Sequence, residues 1–216
     1  MTKSLLITRP EHDLPTRYIS KWSEKIIEEA KSKNFNITDL QREKANKERV
    51  IGILKKKSNE AMLVVFNGHG DSDTIKGHDN EALITTAEAS VLGVKIIYAR
   101  ACQSAKILGK AAISVGSIAY LGYQEDFIFL FDEEKATKPL EDTKAALFLE
   151  PSNYVVTSLL KGHSALDANN RSKNLFRKNL EKVLAGPSSL ENSYAARFLF
   201  WNMTNQVCLG NGAATL

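Results

Sequence analysis

Cysteine is scarce in this chain: 216 residues hold two, Cys102 and Cys208. Two thiols make no disulfide framework, so a reduced, cytoplasmic setting is expected, and there a thiolate stays available. Long apolar runs are missing as well. None approaches the roughly 20 residues that a membrane span needs, and the apolar stretch within Met1–Pro10 is too short for a signal peptide. Charge of one sign is also in short supply. The 29 Lys and Arg stand against 25 Asp and Glu, a net +4, and they are spread along helical faces, so neither nucleic acid nor membrane is expected as a partner. Internal repeats and low-complexity segments are lacking. So is a phosphate loop: Gly68-His69-Gly70 has no third glycine at the required spacing, which argues against a nucleotide-binding doubly wound domain.

What is present is ordinary in amount, with 43% hydrophobic and 25% charged residues, and informative in placement. Ala61–Phe66 is a short apolar run leading into Asn67-Gly68-His69-Gly70. Val94–Ala99 is a second, leading into Arg100-Ala101-Cys102-Gln103-Ser104. Both read as buried parallel strands, short and bounded by glycine or polar residues. In open α/β sheets, catalytic groups gather beyond the carboxyl ends of such strands. His69 and Cys102 are therefore expected on one rim of one sheet, as a histidine proton-transfer partner and a cysteine nucleophile.

The remaining chain supports that frame. Leu5-Leu6-Ile7 reads as a first strand, Pro15–Lys33 as an amphipathic helix and Phe35–Leu40 as a short strand. Asn46–Lys57 reads as a basic helix, and Asp71–Glu81 as a polar loop or small hairpin. Thr85 or Thr86 can cap a helix through Leu92. Ala101–Val115 reads as the helix after the second run, and Ser117–Tyr123 as a fifth strand. After Phe127–Phe131 three helices are expected, near Leu140–Lys161, Ala168–Leu184 and Ser189–Val207, with a loose tail over Leu209–Ala213. Alternating strands and helices imply right-handed crossovers. The expected architecture is α/β, a three-layer αβα fold with a central, mostly parallel sheet. Residues 1–135 form its core and residues 136–216 a helical extension packed on it.

Cysteine chemistry requires a thiolate, and an ordinary thiol with a pKa near 8.5 is only a few per cent ionised at neutral pH. A helix starting at Cys102 would lower that pKa, and Arg100 and His69 could add to the effect. Glycines flanking His69 permit a sharp turn. The amides of Gly70 and Cys102 are natural oxyanion donors. Cys208 has no comparable context. His12 and His163 read as surface or turn residues. A zinc site from His69, His78 and Cys102 matches no compact ligand motif, and calcium in the aspartate-bearing loop is equally unsupported; no metal or cofactor is expected.

The blocks LVVFNGHG and KIIYARAC resemble the caspase, gingipain, legumain and separase group of cysteine peptidases, clan CD with the caspase-haemoglobinase fold. The later GSIAYLGYQED resembles the bacterial caspase-like branch, CHAT peptidases included. The resemblance covers about residues 1–130. It implies a thiol protease with a Cys-His dyad: Cys102 attacks a peptide carbonyl, His69 gives a proton to the leaving amine, and the Gly70 and Cys102 amides hold the oxyanion. Arg100-Ala101-Cys102-Gln103-Ser104 departs from the Gln-Ala-Cys-X-Gly of eukaryotic caspases, so an aspartate-specific pocket is not implied. Glu125 and Asp126, on the same rim, are the expected substrate-binding carboxylates for a basic side chain, with Arg100 a further substrate-binding candidate. A regulatory protein partner or oligomerisation is expected, and Asp132–Lys138 is the candidate segment for self-cleavage. The competing class is a catalytically inactive binding or scaffold protein on the same fold.

Overall fold

The computed structural model describes residues 3–216, so Met1 and Thr2 of the amino-terminal stretch lie outside it. Strand β1 (Ser4–Arg9) leads into two short helices, α1 (Leu14–Trp22) and α2 (Glu24–Ser32). The single helix expected over Pro15–Lys33 is interrupted at Ser23, whose buried hydroxyl donates to the Ile19 carbonyl at 2.8 Å. Strand β2 (Asn36–Gln41), helix α3 (Lys47–Lys56) and strand β3 (Met62–Asn67) follow. The polar Asp71–Glu81 region contributes β4 (Thr74–Lys76), which pairs antiparallel with β5 (Ala82–Thr85). Thr85 caps the next turn with Glu88, as expected, although Thr86–Leu92 is a 3-10 helix rather than an α-helix. Strand β6 (Lys95–Arg100), helix α4 (Leu108–Ser114) and strand β7 (Ala119–Tyr123) complete the alternating part. Helices α5 (Thr143–Leu160), α6 (Ala165–Leu184) and α7 (Leu190–Asn205) precede a last strand, β8 (Gln206–Gly210).

One six-stranded sheet runs in the order β2-β1-β3-β6-β7-β8, parallel throughout except for β8. Every residue of β1, β3, β6 and β7 is buried, as parallel strands covered on both faces must be. Alternate side chains feed two cores. Leu5, Ile7, Leu63, Val65, Tyr98 and Leu121 meet α1, α2, α5 and α6 on one face. Leu6, Val64, Phe66, Ile97 and Tyr120 meet α3 and α4 on the other. The expected three-layer α/β fold is therefore present.

Two expectations need correction. The tail is not loose. Its glycines obscured strand β8, which pairs with β7 from Ala119↔Gly210 to Tyr123↔Gln206. The fully buried Gln206 fixes it there, accepting from Tyr123 and Ser172 hydroxyls and donating to Asn169. The carboxy-terminal segment thus supplies a strand of the central sheet as well as the helices that cover one face. Nor is Ala101–Val115 one helix. Up to Ile107 it is a chain of turns whose amides donate to distant carbonyls. Gln103 donates to Glu125, Ala105 to Tyr123, and both Ile107 and Leu108 to Ser72. These long-range bonds outcompete the local helical ones, and Gln103 sits at φ 54°. Asp132–Lys138 lies at the surface. Among the described residues, no helix is long and apolar enough to cross a membrane.

At the amino end of β6, Lys95 is fully buried. Its ammonium donates to the carbonyls of Lys57, Ser58 and Glu60 at 2.8, 3.1 and 2.6 Å, closing the turn between α3 and β3. Burial lowers its pKa. Lys95→Ala leaves those carbonyls without this donor and opens a cavity, so it is expected to lower unfolding stability by about 3 kcal/mol. A urea midpoint unchanged from wild type would refute that role.

Candidate active site

The two run-ends are brought together by backbone. Asn67, buried at the end of β3, donates its amide side chain to the Thr8 carbonyl at 2.7 Å and so ties β3 to β1. Gly68 follows at φ 146°, and a Cβ there would lie 2.2 Å from the Lys76 carbonyl oxygen, so only glycine fits. Gly70 is pressed against the second run: its Cβ position is 2.9 Å from the Ala101 Cβ and 3.0 Å from the Cys102 carbonyl oxygen. His69, between these glycines, and Cys102, just past β6, consequently line one small cleft. Its other walls include Pro15 and Ile19 of α1, Phe127, Phe129 and Arg100. Neither the Gly70 nor the Cys102 amide donates to a backbone carbonyl among the described residues.

His69 has a partner that sequence reasoning missed. Its Nε2 lies 2.6 Å from Oδ2 of Asp13. Asp13 caps α1, and its Oδ1 accepts from the Thr16 amide at 2.9 Å and the Thr16 hydroxyl at 2.6 Å. Burial alone would raise the Asp13 pKa, but the bonds from Thr16 and His69 outweigh it and hold it below the usual aspartate value. Those contacts are therefore intact above the ordinary carboxylate range and are lost only as pH falls through the lower folded value. An Asp before Pro15 and an amphipathic run does signal a helix cap. Nothing in the sequence ties that cap to a histidine on β3's end.

Cys102 is held otherwise than expected. Helix α4 begins at Leu108, so no helix terminus lies at the sulfur. Burial pushes the thiol up to about 11, and the nearby Asp126 carboxylate adds to the effect. The Phe127 carbonyl is 4.0 Å from Sγ. Sulfur ionisation thus rises tenfold per pH unit up to about pH 11. Iodoacetamide is expected to alkylate Cys102 in the resting protein with a rate that climbs log-linearly from pH 7 to about 10. A plateau near the ordinary thiol value of about 8.5 would contradict the buried environment. Cys208, on β8 opposite Leu121, is also half-buried, and burial raises its pKa too.

The remaining site candidates separate. Glu125 pairs with Lys106 at 2.9 Å, and Asp126 accepts from the Gln103 side chain at 3.0 Å. Neither lines the cleft. Arg100 does, and it is fully buried. Its Nη2 donates to Asn153 Oδ1 on α5, while Nε and Nη1 have no partner among the described residues. His163 pairs with Asp167 at 2.7 Å on α6. His12, expected at the surface or in a turn, lies in the bend between β1 and α1 with its side chain 9% exposed.

No protein-family model and no curated protein matches this sequence. Solved structures do match in shape. The Arg-specific cysteine proteinase gingipain R superposes with a TM-score of 0.61 at 12% identity, over 99% of this chain and 47% of its own. The complex of the pro- and mature domains of Porphyromonas gingivalis RgpB gives 0.61 at 11% identity, over 99% and 48%. The fold is thus that of the caspase-haemoglobinase group, and the chain spans about half the length of those proteins.

Proposed function

We propose that this chain is a cysteine endopeptidase in which Cys102 is the nucleophile and His69 the proton carrier. The observation that carries the reading is the shared cleft, reached by both side chains from the ends of the adjacent parallel strands β3 and β6. As Sγ attacks a peptide carbonyl carbon, the C–S bond forms and the carbonyl electron pair moves to oxygen, toward the free Gly70 and Cys102 amides. The thiol proton passes through His69 to the leaving nitrogen as the C–N bond breaks, leaving a thioester that water hydrolyses. Asp13 is the positioning residue that fixes the imidazole, much as a buried carboxylate orients the histidine of a serine protease. With a thiol pKa of about 11, roughly one sulfur in a few thousand is ionised near pH 7.5. Proton removal therefore belongs to the substrate complex rather than the resting enzyme.

The expected basic preference rested on Glu125 and Asp126; Glu125 pairs with Lys106 and Asp126 with Gln103, and neither lines the cleft, although the Asp126 carboxylate stands near the Cys102 sulfur. Arg100, with two donors lacking acceptors beside Cys102, favours a substrate carboxylate instead. The RgpB structure with its pro-domain supports control of such a cleft by a covering protein segment or partner. The GSIAYLGYQED segment favours the bacterial caspase-like branch, CHAT peptidases included, and two free thiols favour a reducing, cytoplasmic compartment. A second reading, an inactive scaffold, draws on the same raised thiol pKa. A peptidyl acyloxymethyl ketone, which needs assisted proton transfer as substrate does, separates the two. Labelling located at Cys102 by mass spectrometry and lost in His69→Ala supports the enzyme; absence of labelling, or equal labelling of Cys208, supports the scaffold.

A further inference from the structure

At the edge of the cleft His12, which the peptide chemistry does not use, converges on Asp13 and His69, which it does. A ligand atom from each of His12, Asp13 and His69 lies within 4.8 Å of the others. The His69 Nε2 to Asp13 Oδ2 distance is 2.6 Å, and His12 Nε2 to the same oxygen is 3.7 Å. His12 is otherwise unpartnered: its ring is nine-tenths buried, and neither Nδ1 nor Nε2 has a hydrogen-bond partner among the described residues. Leaving a buried polar group unpaired is costly, so a ring held in this way invites an electron-pair acceptor. His78 meets the His12 ring edge-on at 5.5 Å, but the His78 Nδ1 accepts from the Glu11 amide and its Nε2 faces the carboxylates of Glu43 and Asp79 at 3.7 and 3.8 Å.

We propose that His12, Asp13 and His69 form a binding site for a divalent transition-metal ion of the zinc type. Zinc takes imidazole nitrogen and carboxylate oxygen at about 2.0–2.2 Å in tetrahedral geometry, which sets ligand atoms about 3.3 Å apart. The two separations from Asp13, 2.6 and 3.7 Å, straddle that value, and the ligand atoms of His12 and His69 lie within 4.8 Å of each other, so a modest closing of that third side completes the triangle. Two imidazoles and one carboxylate leave the fourth position open to water. Binding displaces the proton shared between His69 and Asp13 and gives one of the two orphaned His12 nitrogens a partner.

The consequence for activity rests on the peptidase reading. An imidazole with metal on Nε2 keeps one proton, on Nδ1, and giving that up would leave imidazolate. His69 can then no longer relay a proton, and zinc acts as a reversible inhibitor at a site that does not include the sulfur.

Binding is measured without turnover, by titrating Zn²⁺ against a chromophoric chelator with the full chain carrying Cys102→Ala. One ion per chain with a Kd of about 1 µM or below, weakened at least about tenfold in a His12→Gln background, is the expected result. No saturable binding below about 100 µM, or equal affinity with and without His12, would overturn the site. Should His12→Gln fail to fold, Co²⁺-shifted imidazole proton resonances decide: two histidines support the proposal, one or none refutes it. In wild type, zinc blocks acyloxymethyl ketone labelling and EDTA restores it. Labelling that persists on the zinc-filled protein refutes the inhibition. A protein that binds zinc yet is never labelled overturns the peptidase reading and leaves the metal site standing.

Discussion

Cys102→Ala is expected to lower kcat/KM for peptide hydrolysis by at least about 10⁴-fold, because no other nucleophile in the cleft can form the acyl intermediate. His69→Ala should cost about 10²–10⁴-fold, the usual share of a positioned acid–base group, and the double variant little more than Cys102→Ala alone, since the two act as a unit. Asp13 is the more revealing position. It both caps α1 and fixes His69, and Asp13→Ser keeps a capping oxygen while removing the carboxylate that reaches the ring. The expected outcome is a fall in kcat with KM unchanged, because Asp13 does not line the cleft, and a melting temperature near wild type. A rise in KM alone, or a loss of stability that accounts for the lost rate, would reduce Asp13 to a helix cap. Hydrolysis by Cys102→Ala at the wild-type rate would end the reading of Cys102 as the nucleophile outright.

The parts that were legible in the sequence are those that local pattern determines. Buried parallel strands have a plain signature, so Met62–Asn67 and Lys95–Arg100 were readable, and with them the rim that carries His69 and Cys102. A helical cap at Thr85 or Thr86 was readable too, and the structure selects Thr85, boxed with Glu88. Long-range bonds defeated the pattern elsewhere. Ala101–Ile107 has helical composition, yet its amides find Glu125, Tyr123 and Ser72, and the dipole expected to activate Cys102 is absent in consequence. Strand β8 hid behind Gly210 and Gly212 because its order comes from Gln206 and the free edge of β7. Asp13 and His12 could not be assigned roles, since their partner His69 lies far along the chain and only the β1–β3 pairing brings them near. The same limit explains Glu125 and Asp126: they reached the right rim, but the sequence could not show that Lys106 and Gln103 would occupy them.

Arg100 is where specificity should be decided. Its side chain is fully buried, and Arg100 shares the lining of the cleft with the apolar Pro15, Ile19, Phe127 and Phe129 as well as with Thr16 and His69. Asn153 satisfies one nitrogen and is itself fixed by donating to the Trp22 carbonyl at 2.7 Å. The Tyr98 ring lies 6.0 Å from the guanidinium carbon. Those contacts hold the group rigidly and leave Nε and Nη1 without acceptors, a costly arrangement for a buried cation unless a ligand supplies negative charge. A peptide with Asp or Glu at the cleavage position is therefore expected to be hydrolysed at least tenfold faster than its Asn or Gln counterpart. Arg100→Met should bring that ratio close to one. The carboxylate substrate then loses a partner worth about 2–5 kcal/mol, roughly 30- to 4,000-fold in kcat/KM, while the neutral substrate loses little. Because the ratio is taken within one variant, any fraction of unfolded protein cancels. Replacing the under-satisfied cation with an apolar side chain of similar length should leave the melting temperature unchanged or raise it. Preference for Arg or Lys in the wild type, insensitive to Arg100→Met, would reject the carboxylate pocket and return the question of specificity to Glu125 and Asp126.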